Sequence, residues 1–168
     1  MAKATVELVR ALRLTAQRLR EGAAYQWGHF GACNCGHLAQ TLTRRTSAEI
    51  HRLALQQRAL DWGDEAQQFV AAEACSSSRL PFDLVVDELL AAGLTTDDLH
   101  RLERLEDPAV LARLPGGLRW LTRNDRDDAV AYFEAWARLL EEQLFAAGRP
   151  VAGDASAPPD ASHASRAA

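Results

Sequence analysis

The segment Asn124-Asp-Arg-Asp-Asp-Ala-Val-Ala-Tyr-Phe-Glu-Ala-Trp-Ala-Arg-Leu-Leu-Glu-Glu-Gln-Leu144 decides the fold class. Val130, Phe133, Ala137, Leu140 and Leu144 recur at three- and four-residue spacing, which gathers them on one face of an α-helix and on no single face of a strand. Asn124 or Asp125 supplies a side-chain oxygen to cap the first turn. Asp127 and Asp128 follow where the helix dipole favours negative charge. This is the strongest helix in the chain.

The same spacing recurs at the opposite end. Leu8, Val9, Leu12, Ala16 and Leu19 form an apolar stripe with Arg10, Arg13, Arg18 and Arg20 largely off it, and Gly22 ends the helix. Shorter helices are expected between the two. Leu38–Leu42 has helical character. Thr46 and Glu49 form a capping box that opens a helix carrying Ile50, Leu53, Ala54 and Leu60. Asp61–Asp64 reads as a turn, with Asp64 capping a short helix through Phe69 and Val70, and Cys75–Leu80 reads as a loop. Pro81 then fits a first helical position, followed by Leu84, Val85, Leu89 and Ala92 and stopped by Gly93. Thr95 or Thr96 caps a helix through Leu99 and Leu102, and Asp107-Pro108 opens another. No stretch alternates over strand length, and no hairpin dipeptide joins β-rich runs. The expected fold is all-α, a single compact multi-helix domain with two long terminal helices and several short ones. It spans residues 1–147, and an Ala/Pro/Ser-rich tail, 148–168, has too little to bury to be ordered.

With 168 residues, 48% hydrophobic and 25% charged, the chain is long enough for one real core. No apolar run approaches the ~20 residues that cross a bilayer. The first ten residues are broken by charge and lack a leader's apolar stretch, so a cytoplasmic protein that meets no membrane is expected. Lys3 is the only lysine among the basic residues, the mark of GC-rich bacterial coding. Residues 1–60 hold nine Lys/Arg against three Asp/Glu, and the remainder holds ten against twenty. The two halves can therefore face each other within one fold. Leu38–Leu53 has the outline of a helix-turn-helix with Arg44, Arg45 and Arg52 toward phosphates. Its turn lacks glycine and the rest of the chain is acidic, which disfavours a nucleic-acid partner. A homodimer remains open. No phosphate loop, dinucleotide fingerprint, His-Glu-x-x-His pair or Gly-x-Ser-x-Gly elbow is present in the sequence. Arg123–Asp128 is read as the charged start of the last helix rather than a site for a hard cation.

Chemistry concentrates in Tyr25-Gln-Trp-Gly-His-Phe-Gly-Ala-Cys-Asn-Cys-Gly-His-Leu-Ala-Gln40. Cys33, Cys35 and His37 alternate, and His29 lies four residues before Cys33, so a helix through this stretch would align His29, Cys33 and His37. Thiolate and imidazole suit a transition metal, zinc or iron, with Cys75 as a further ligand, although the spacing matches no common zinc pattern. A second reading makes Cys35, or Cys33, a catalytic or redox thiol. With Asn34 as N-cap, Cys35 takes the first helical position, where free N–H groups lower a thiol pKa, and His37 or His29 assists. Asn34 and Gln40 then face a developing oxyanion. A third reading is structural: small buried cysteines, glycines for close helix contact, histidines on backbone carbonyls, and a non-catalytic interaction module.

Trp27–Leu38, with Asp98-Leu-His-Arg-Leu-Glu-Arg-Leu-Glu-Asp-Pro108 and Asn124–Asp128, resembles the Trp-Gly-His-x-Gly-x-Cys-Asn-Cys-Gly-His-Leu signature of an uncharacterised family of bacterial all-helical proteins. The resemblance covers the chain to about Leu144. It implies a soluble helical domain and carries no catalytic residue across.

Overall fold

In a computed structural model the described residues are 1–57, 81–117 and 119–148, the side chains of 54–57 and 81–84 aside. The turn at Asp61–Asp64, the helix through Phe69 and Val70, the Cys75–Leu80 loop, Leu60, the side chains of Ala54 and Leu84, and the tail from residue 149 lie outside them. The described residues form seven helices and no strand: α1 (Val6–Arg20), α2 (Asn34–Thr43), α3 (Ser47–Gln57), α4 (Pro81–Ala91), α5 (Thr96–Arg104), α6 (Pro108–Leu111) and α7 (Arg126–Gly148). The all-α single domain expected from the sequence is the one observed.

The starts of these helices follow their capping side chains. Thr5 accepts the Leu8 N–H at 3.1 Å, and Asp125 accepts the N–H groups of Asp127 and Asp128 at 2.8 and 3.0 Å. Thr46 and Glu49 exchange hydrogen bonds, Glu49 accepting the Thr46 N–H at 2.7 Å. Thr95 and Asp98 do the same at the start of α5. Each such cap is worth about 1 kcal/mol, so together they fix where the short helices begin.

The frame is the antiparallel pair α1–α7. Leu8, Leu12, Leu19, Phe133 and Leu140 are fully buried along the core. Arg13 pairs with Glu141 at 2.6 Å, and Arg20 pairs with Glu134. A seven-residue step along α1 thus meets a seven-residue step back along α7, as in coiled-coil packing. Tyr132, Trp136 and Leu139 are buried as well. α7 therefore buries more than the single stripe expected, because α6 and the loop before it cover a second side. There the Tyr132 hydroxyl accepts the Asp107 N–H at 3.3 Å, and Asp107 caps α6 through Ala109 and Val110.

Helix α2 lies at the centre, packed on α1, α3, α4 and α5. It stops at Arg44, a non-glycine residue in the left-handed region (φ 58°). Arg45 bonds Glu88 of α4 at 2.6 Å. Arg45 is thus tied to α4, while Arg44 and Arg52 are exposed. No helix among the described residues is long and apolar enough to cross a membrane.

Candidate functional site

The Tyr25–Gln40 segment runs from the end of α1 into α2. Residues 26–33 form successive turns rather than a helix. The shared helical face of His29, Cys33 and His37 therefore does not form. The cap is also displaced by one residue: Cys33, not Asn34, is the N-cap, and its Sγ accepts the Gly36 N–H at 3.4 Å. Asn34 becomes the first helical residue and Cys35 the second. The reason is tertiary. The Asn34 amide is fully buried, donates to the Glu103 carbonyl at 3.0 Å, and accepts from the Tyr25 hydroxyl at 2.7 Å.

The glycines set the packing distance. A Cβ on Gly36 would stand 2.6 Å from the Phe30 carbonyl oxygen and 2.8 Å from the Gly31 carbonyl carbon. A Cβ on Gly31 would run into the Ser47 carbonyl at the start of α3. Both contacts are with backbone, so neither can be relieved by a rotamer change.

Each chemically distinctive side chain is engaged with backbone. Cys35 is fully buried, and its thiol donates to the Leu99 carbonyl in α5 at 3.4 Å. His37 is buried, its Nε2–H donating to the Ala24 carbonyl at 3.0 Å, with the Tyr25 ring stacked 6.1 Å away. Burial holds the His37 pKa down to about 4; the nearby Arg18 charge acts in the same direction, and the Ala24 bond opposes both. Gln40, a candidate oxyanion donor, instead bridges α1 to the loop: its carbonyl accepts from Arg18 at 2.7 Å, and its amide donates to the Gly31 carbonyl at 2.7 Å. Trp27 donates to the same Glu103 carbonyl at 3.3 Å and lies under the Arg123 guanidinium, 3.9 Å from the ring centre. Tyr25 shares its hydroxyl proton between Asn34 and the Arg123 carbonyl, 2.5 Å away. Burial raises its pKa well above the ordinary phenol value.

His29 goes elsewhere. Its ring stacks on His51 of α3, with centroids 3.9 Å apart and planes 11° from parallel, while its Nδ1 accepts the Gly31 N–H at 3.3 Å. This pairing needs the loop and α3 to meet, which no local pattern encodes. Burial and the neighbouring His29 lower the His51 pKa. Two rings stacked this closely point their nitrogen lone pairs along parallel planes, a poor arrangement for converging on one ion. Among the described residues no three of His, Cys, Asp or Glu are placed to hold a metal ion. Cys75 lies outside the described residues. Asp128, in the acidic start of α7, accepts from Arg119 and from the Thr122 N–H at 2.8 and 2.7 Å.

The chain matches no protein-family model, no curated protein and no solved structure.

Proposed function

We propose that this chain is a non-catalytic helical interaction module. In it the Tyr25–Gln40 segment interlocks the helices, and the outer face of α1 and α7 meets a partner. One observation carries the reading: Asn34, Cys35 and His37 each bond a main-chain carbonyl of another part of the fold, at Glu103, Leu99 and Ala24. A thiol that donates to a carbonyl is held in its protonated form, whereas a nucleophilic thiolate needs N–H groups or positive charge and access to solvent. A ligand set needs lone pairs that converge, and those of His37 and His29 point to different neighbours. On the outside, Phe145, Val6 and Leu14 are 76%, 50% and 47% exposed, an apolar presence that a partner would cover. A bacterial, cytoplasmic setting fits the same reading, through the single lysine among the basic residues and the reduced thiols it requires.

Alkylation tests it. Native protein treated with iodoacetamide at neutral pH should leave Cys33 and Cys35 unmodified until denaturant unfolds the chain, read by mass spectrometry of the peptide carrying both. Either cysteine reacting faster in the native than in the unfolded chain would overturn the reading and revive the thiol enzyme.

A further inference from the structure

The loop of residues 26–33 meets α3 along one face of that helix. Ser47 and His51 stand four residues apart on α3, one turn from each other. Gly31 approaches Ser47 so closely that no Cβ fits between their backbones. Two residues earlier His29 lays its ring on His51, with centroids 3.9 Å apart and planes 11° from parallel. Both rings are half-buried. The His29 Nδ1 accepts the Gly31 N–H at 3.3 Å, so the two contacts of this seam are joined. The His51 Nδ1 is buried and, among the described residues, has no hydrogen-bond partner. The loop is held from its other side by different groups. Gln40 of α2 donates to the Gly31 carbonyl at 2.7 Å, and Trp27 donates to the Glu103 carbonyl at 3.3 Å.

We propose that the His29–His51 stack is an acid-opened latch: two uncharged rings hold α3 against the loop, and proton uptake by the pair parts them. The uncharged state is self-consistent. A neutral His29 keeps its proton on Nε2 and leaves Nδ1 as the acceptor that Gly31 uses. Protonation puts an N–H there, donor against donor. A charged His51 carries an N–H on Nδ1 as well, buried with no acceptor among the described residues. Two imidazolium rings stacked this closely also repel. Burial, and after it the His29 charge, lower the His51 pKa. Once parted, the rings take up protons near the ordinary value of about 6.5, so opening is favoured as pH falls below it. The charged groups on the elements packed here do not offset this. Glu49 of α3 is turned to the Thr46 N–H, Arg45 and Glu88 pair with each other, Arg18 of α1 is bonded to Gln40 and Thr41, and His37 of α2 is turned to Ala24. Arg44 and Arg52 are exposed cations, and Asp87 lies on α4. Among the described residues, His29 is the one charge that acts on His51.

NMR of the full chain between about pH 7.5 and about pH 5 reads the latch directly. At the upper end, nuclear Overhauser contacts are expected between the ring protons of His29 and His51. On acidification these contacts should fall by about half or more, and the Gly31 and Ser47 amide signals should shift with the same midpoint. Amide-exchange protection of Leu38 to Thr41 in α2 should hold throughout, which separates opening of the seam from unfolding. The double variant His29→Phe/His51→Phe keeps two flat rings in place and titrates at neither, so its Ser47 signal should not respond to pH over this range. Rings still in contact in the wild type at the acid end would overturn the proposal. So would loss of α2 protection in step with the ring contacts, or an equal Ser47 shift in the double variant. The wild-type titration decides the matter even where the double variant does not fold.

Discussion

Acid should destabilise this protein through His37, and the size of the effect follows from its surroundings. The ring is buried against Tyr25, with Nε2–H on the Ala24 carbonyl, and burial takes its pKa from the ordinary 6.5 down to about 4. A histidine whose folded pKa is depressed binds fewer protons in the native state than in the unfolded state, so stability falls as pH falls. The contribution is complete above pH 6.5 and is lost progressively down to pH 4. At about 1.4 kcal/mol per pH unit, the loss across that window is about 3 kcal/mol. That is a large fraction of the 5–15 kcal/mol typical of a domain. Urea unfolding at intervals between pH 7 and pH 4 measures it. His37→Gln isolates it, because the glutamine amide can donate to Ala24 in place of Nε2 and does not titrate. The variant should show a pH slope shallower than the wild type by the same 3 kcal/mol or so over the window. Parallel slopes in the two proteins would refute the assignment of a buried, neutral His37.

Gly36→Ala should destabilise by about 1–3 kcal/mol in urea titration despite the better helix propensity of alanine, because the new methyl meets the Phe30 and Gly31 backbone; a gain in stability would mean the loop does not press on α2. Asn34→Ala should cost about 2–4 kcal/mol by the same measurement, since it removes the bond to the Glu103 carbonyl and one acceptor of the Tyr25 hydroxyl inside the core. Arg13→Ala, by contrast, should change the monomer's stability by about 1 kcal/mol or less, its ion pair with Glu141 being solvent-exposed.

The elements readable from the sequence were those whose signal is local. Thr46 with Glu49, Thr95 as one of two candidate caps, and Asp107 all hold their helix starts through bonds within three residues. The stripe from Leu8 to Leu19 needs only helical periodicity. The Cys33–His37 region was visible as unusual, but its organisation was not. Asn34 is an ordinary N-cap by preference, yet here a carbonyl 69 positions along the chain claims its amide, and the thiol one residue earlier takes the cap. The stacking of His29 on His51 likewise depends on where α3 lies against the loop. The second buried side of α7, with Tyr132, Trp136 and Leu139, arises because α6 packs there, which a single amphipathic stripe does not encode.

In the proposed function the cysteine–histidine segment builds the fold rather than a reactive centre. Elemental analysis of untagged native protein, with the Cys33→Ser/Cys35→Ser double variant beside it, tests this most directly. Zinc or iron at about background is expected in both proteins, since Cys33, Cys35 and His37 each bond a backbone group. About one metal per chain, lost in the double variant, would contradict it and make Cys33 and Cys35 ligands.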